Sequence, residues 1–388
     1  MGLDLNRRLQ AVLRDLPNRP SRPSLLAREL DLNRATASKL LGATAKRDPL
    51  ALLHGIPGPE PLRSMLHTAL AKGVDQALVQ SALQAVERFD HLIRNVAGTR
   101  STLDAAISSA LPSLREKFEL SSKYSIFKGM SQLKGVQADT WLGAALVTPS
   151  SKDPERHDLL WLTGAFGIQR LRPEVTISFS YRYLSGEEPT PENTVLSADS
   201  FSSIPMNQFC ENQPAKVLTH RAGEHIHYTL PADRLGRLSH RDMLVVDDHE
   251  AAMSRNARPE PRCQSSLFVE PAFPVNQLIF DLLMHKDAFP GADPELVIYD
   301  TGTRGIANVN DETRDIDRIA MEEEIESLGS GLSSFHCEEV PRYTEMLAHL
   351  AKQKAWDLAD YRGYRVRIQY PVYGWQTSMA FEPPKRDI

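Results

Sequence analysis

Cysteine is almost missing from this chain, with Cys210, Cys263 and Cys337 the three it has in 388 residues. They are odd in number, far apart and form no C-x-x-C pair, which argues against a disulfide framework or a zinc knuckle and points to a reducing compartment. No apolar run approaches the roughly 18 residues that a membrane span requires. The N-terminus, MGLDLNRRLQAVLRDL, is amphipathic and holds Asp4 and Asp15, so it fits neither a secretory signal nor a transit peptide. A cytoplasmic chain with no membrane association is expected. Basic excess is also lacking, because the net charge is −5. The chain has no G-x-S-x-G, no Walker-type phosphate loop and no G-x-G-x-x-G after a strand. His336-Cys337 is the one close His–thiol pair, and neighbours in a strand point apart, which disfavours a nucleophile–base couple. The expectation is therefore no catalytic residue, no cofactor and no enzyme.

What the chain does have is an ordinary globular composition, 41% hydrophobic and 24% charged. Its length allows two or three domains. The charge is unevenly placed. Residues 1–50 carry ten Lys and Arg against five Asp and Glu, a local +5 that leaves −10 for the rest. A basic head on an acidic body fits one end that meets phosphate and another that does not.

The stretch RPSLLARELDLNRATASKLLG, residues 22–42, predicts two short helices around a tight turn. Leu26 and Leu30 form one helical stripe; Ala37, Leu40 and Leu41 form a second after a break at Asp31-Leu32-Asn33. Ser24 is a candidate cap for the first helix. The outward positions of the second helix are hydrogen-bonding, and residues 33–47 contain no acid. This spacing resembles the lambda-repressor-like helix-turn-helix regulators of bacteria and phages. That family usually has glycine at the turn, where φ is positive; this chain has Asp31, one of the few other residues that tolerate the region. The resemblance implies that the helix from about Arg34 to Leu41 enters a DNA major groove. Asn33, Arg34, Thr36, Ser38 and Lys39 would then meet base edges and nearby phosphates, while Arg22, Arg28, Lys46 and Arg47 position the module on the backbone. Such modules usually work as two-fold dimers.

The expected organisation is α+β: an all-α helix-turn-helix domain over residues 1–56, a helical linker or dimerisation segment over 62–135, and a β-rich domain over 136–388. The hinge between the first two is Gly55-Ile56-Pro57-Gly58-Pro59-Glu60-Pro61. In the helical segment Val79, Leu83, Val86, Phe89, Ile93 and Val96 make an apolar seam, suited to a bundle helix or a homodimer contact. From about Asp139 the period falls to two. VTISFSYRYL and YRVRIQY alternate, the second with Tyr364, Val366, Ile368 and Tyr370 inward and Arg365, Arg367 and Gln369 outward. Short apolar runs such as DLLWLTGAFGI, DMLVVDD, SSLFVEP and QLIFDLLMH lie between. A mainly antiparallel sandwich or bent sheet follows, with a late helix over about Val340–Leu358 packed on it.

Weak metal candidates are His225 and His227, on one side of a strand, with Glu224 and His220 nearby; no third ligand sits at a diagnostic offset. His249-Glu250-Ala251-Ala252-Met253 begins like a zincin helix but lacks the second histidine. The acidic run at Asp311, Asp315, Asp317 and Glu322–Glu324 lacks the alternating ligands and glycine of a calcium loop and is expected to be a solvated face. These readings favour a dimeric, sequence-specific DNA-binding transcriptional regulator whose β-rich domain senses a small molecule or contacts a protein effector. The alternatives are a metal-binding or enzymatic β domain with a helical appendage, and an adaptor whose helical hairpin binds protein.

Overall fold

The computed structural model describes residues 1–18, 20, 22–182, 204–212, 218–222, 225–231, 235–257 and 262–385. It divides into two compact units, Met1–Glu119 and Leu120–Ile388. The architecture is α+β, as expected: helices first, then mainly antiparallel sheets with a late helix.

The first unit is helical. Its elements are α1 (Gly2–Asp15), α2 (Pro23–Glu29), α3 (Arg34–Thr44), α4 (Pro49–Gly55), α5 (Pro59–Ala71), α6 (Gln76–His91) and α7 (Arg100–Ala110), and α8 (Pro112–Lys134) spans the division. Leu5, Leu9 and Val12 of α1 recur at helical spacing and are buried with Leu26, Leu40, Met65, Val86 and Phe89 in one core. Residues on either side of the Gly55–Pro61 segment, up to Leu114, thus share apolar packing, and Gly58 becomes the N-cap of α5. The seam of α6 is spent within this core. Val79, Val86 and Phe89 are buried, as is Ile93 just beyond, while Val96 alone of the seam is largely exposed. The seam therefore offers little apolar surface to a second copy.

Polar residues set the helix ends. Asn33 accepts from Thr36 N at 2.7 Å, Asp48 from Ala51 N at 2.7 Å, and Asp75 from Ala77 N at 2.7 Å. Ser24 does not cap α2. Pro23 starts that helix one residue earlier, its fixed φ suited to the first position, so Ser24 already lies inside it. The α2–α3 turn runs through Asp31 at φ 52, the left-handed conformation expected there.

The second unit contains β1 (Val136–Pro149), β2 (Arg156–Arg170), β3 (Ile177–Arg182), β4 (Ile204–Pro205), β5 (Leu218–Ala222), β6 (His225–Leu230), β7 (Arg241–Ser254), β8 (Ser265–Val269), β9 (Val275–His285), β10 (Glu295–Asp300), β11 (Arg318–Ile319), β12 (Ile325–Ser330), α9 (Tyr343–Lys354), β13 (Tyr361–Gln369) and β14 (Trp375–Phe381). A seven-stranded sheet has the order β12-β13-β9-β1-β2-β7-β4 and is antiparallel except where β1 runs parallel to β9. A four-stranded sheet, β11-β10-β14-β8, and a three-stranded one, β3-β6-β5, complete it. Alternation divides the large sheet into two faces. Trp141, Val245, Leu278, Phe280 and Val366 pack with Leu267, Val269, Ile298 and Phe381 of the four-stranded sheet. Leu142, Leu146, Leu160, Val246 and Ile279 pack instead with Met346, Leu347 and Leu350 of α9. This is a sandwich with a helix on its outer side, and the helix is shorter than expected because Arg342 and Ala355 take left-handed backbone at its two ends.

Cover on both faces overturns one expectation. Arg365 of β13 was expected outward with Arg367 and Gln369, yet its side chain is fully buried under α9. Among the described residues no helix is long and apolar enough to cross a membrane.

Candidate functional site

The second unit carries a partly open cavity of about 470 Å³ between the large sheet, β3 and β8. Register places its floor. β2 and β7 pair Trp161 with Asp247 and Leu159 with His249, so Trp161, Asp247 and His249 share one face. Trp141, two positions from Gly143 on β1, shares it as well, since Gly143 lies opposite Thr163. The Trp161 indole N–H donates to the Thr163 hydroxyl at 2.9 Å, which fixes the ring. The Trp141 ring meets Phe273 edge-on at 5.5 Å. Phe268 and Glu270 come from β8 and the turn beyond it, Val175 and Ile177 from the approach to β3 and its first residue.

Polar side chains stand among the aromatic and aliphatic ones, Thr163, Thr176, Ser178 and Ser266 being neutral. Asp247 is wholly buried, and burial lowers the His249 pKa, favouring the neutral imidazole. Glu270 accepts a hydrogen bond from the Thr301 hydroxyl at 2.9 Å. Lys134 donates to the Tyr373 hydroxyl at 2.6 Å, with its ammonium 3.8 Å from the centre of that ring. The cavity can thus hold a largely apolar molecule against aromatic walls and meet a few polar groups on it. Of these residues the sequence singled out His249 alone, and for a zincin helix rather than for this cavity. Trp161 and Glu270 lie within runs that look like plain strand core.

The residues expected to meet DNA lie elsewhere. Arg22, Arg28, Arg34, Ser38, Lys39 and Arg47 are exposed in the helical unit. Asn33 and Lys46 serve the fold: the Asn33 side-chain oxygen caps α3, and Lys46 Nζ donates to Ala51 O at 3.1 Å in α4. Thr36, half-buried, supplies the backbone N–H that Asn33 accepts.

The expected metal candidates are brought together only as backbone. His227 is opposite His220 across β5 and β6, and His225 is opposite Ala222; the histidine side chains and Glu224 lie outside the described residues. Among the described residues no group of three or more His, Cys, Asp or Glu is arranged to hold a metal ion. His249 and Met253 sit on the strand β7 rather than on a zincin helix.

The acidic run is not simply solvated. Asp315 accepts two bonds from Arg262, each 3.0 Å, and Asp317 is 2.6 Å from both Arg304 and Arg314. Buried Arg314 also donates to Gly305 O at 2.7 Å and Ile306 O at 2.9 Å, so these carboxylates staple a loop.

No family model and no curated protein matches the chain. Among solved structures, a mutant of a two-domain M1 zinc metallopeptidase bound to L-tryptophan matches at 7% identity over 63% of this chain, with a TM-score of 0.26. The match spans 42% of that chain's length, and at this score neither its fold nor its activity transfers. The expected DNA-binding transcriptional regulator is corrected here. No family model or curated protein supports it, and two of the nine residues assigned to DNA, Asn33 and Lys46, are committed to a helix end and to packing.

Proposed function

We propose that the β-rich unit is a small-molecule-binding module and that its ligand is a largely apolar, ring-bearing compound. The observation that carries this reading is the cavity of about 470 Å³, walled by Trp141, Trp161, Phe268, Phe273 and Tyr373. Pockets of roughly 300–1,000 Å³ with apolar walls and a few convergent polar groups are the usual form of a ligand site. A well-packed core leaves no such space.

Two of the chain's four tryptophans line the cavity, so binding has an intrinsic optical signal. Titration of the full chain with phenethyl alcohol as a minimal probe should quench its tryptophan emission and raise its melting temperature together. An Ala272→Trp variant, which puts an indole into the cavity wall, should fold but lose the melting shift. Absence of any saturable change in the wild-type chain would overturn the reading, as would an undiminished shift in the folded variant.

A further inference from the structure

We infer that the cavity selects an aromatic amine in its protonated form, with the ammonium directed to Glu270 and the ring held by the aromatic walls. This rests on the reading of the cavity as a ligand site.

The argument concerns which charges a guest would meet. Five titratable side chains line the cavity: Lys134, Asp247, His249, Glu270 and Tyr373. Asp247 is wholly buried in the floor and engaged within the fold, although its Oδ2 accepts no hydrogen bond. His249 is driven towards its neutral form by burial, so it brings little positive charge. Lys134 is the one lysine on the wall, which has no arginine, and it is occupied by Tyr373 through both the hydroxyl and the ring face. Glu270 is half-buried, it lies 2.9 Å from the neutral Thr301 hydroxyl, whose one proton is also directed at Gly374 O, and no Lys or Arg pairs with it among the described residues. A carboxylate answered by a hydroxyl alone, beside aromatic faces, favours an incoming cation twice. It gives a charge-assisted hydrogen bond, and the ring quadrupoles attract the same charge. A carboxylate-bearing guest would meet Glu270 as a like charge and would have to draw Lys134 away from Tyr373.

The test uses three probes of one shape and different charge: phenethylamine, phenethyl alcohol and hydrocinnamate, titrated calorimetrically into the full chain at neutral pH. The amine should bind roughly tenfold or more tighter than the alcohol, the range expected for a hydrogen bond to a charged group, and hydrocinnamate should bind weakest. Glu270→Gln keeps an acceptor for Thr301, so it should keep the melting temperature while the amine's advantage over the alcohol disappears. An amine no tighter than the alcohol, a tighter hydrocinnamate, or an amine preference that survives in Glu270→Gln would each overturn the inference and leave the ligand site standing. If none of the three binds, the ligand site itself falls.

Discussion

Arg365 and Asp281 face each other across the β13–β9 register with no exposed side-chain surface on either. Arg365 Nε and one terminal nitrogen donate to the two carboxylate oxygens at 2.7 Å each, and the Tyr343 hydroxyl donates to the second oxygen at 2.7 Å. The other donors of the guanidinium reach His336 O and Phe335 O. Burial pushes the Asp281 pKa up, while its carboxylate raises that of Arg365. A paired and fully bonded charge is tolerable at this depth, but one left alone is not.

Arg365→Met should therefore cost about 3–5 kcal/mol in urea unfolding, because it leaves Asp281 buried with a single hydroxyl partner. Adding Asp281→Leu and Tyr343→Phe to it should restore most of the loss, since apolar replacement of a whole buried polar group is often near neutral. Stability unchanged in the single variant would show that the pair is not what holds β13 to β9.

The second prediction concerns acid. His157 is fully buried, packed edge-on against Phe289 at 4.4 Å, and neither ring nitrogen has a partner. Burial, assisted by the charge of Arg255, lowers its pKa to about 4 from an ordinary 6.5. The unfolded chain takes up the proton first, so protonation pulls towards unfolding. The stability linked to this neutral imidazole is complete above an ordinary histidine pKa and is lost as pH falls towards about 4. The loss should reach about 3 kcal/mol. Unfolding midpoints followed from neutral to mildly acid pH should decline less steeply in His157→Leu than in the wild type; equal slopes would exclude His157 as the source.

What was legible in the sequence depended on whether the signal was local. Asp31 announces its turn through its own backbone tolerance and behaves so, whereas Asn33, read as a DNA contact, caps α3 instead. The alternation of YRVRIQY gave the strand and its inward Val366 and Ile368 correctly. It could not show that α9 covers the opposite face, so buried Arg365 read as a surface residue. β1 is harder still: it is buried on both sides from Trp141 to Val147, so its pattern is a continuous apolar run with no alternation. The cavity was illegible because its walls come from β1, β2, the approach to β3, β7 and β8, more than a hundred residues apart in part. No spacing encodes such a convergence.

The last prediction joins the cavity to the sandwich that bounds it. Gly143 sits on β1 where the large sheet approaches β8, and a Cβ placed there would lie 2.2 Å from Val269 Cγ1. Val269 is β-branched and buried, so its side chain has little rotamer freedom with which to yield. Gly143→Ala must instead move β8 away from β1. Overpacking of this kind costs about 1–3 kcal/mol, which urea unfolding would register. Because Phe268 precedes and Glu270 follows Val269, the same shift should displace two of the cavity's walls. A folded Gly143→Ala protein should therefore bind phenethylamine more weakly than the wild type, although residue 143 does not itself line the cavity. Lost stability with unaltered affinity would mean that β8 adjusts without carrying Phe268 and Glu270 along.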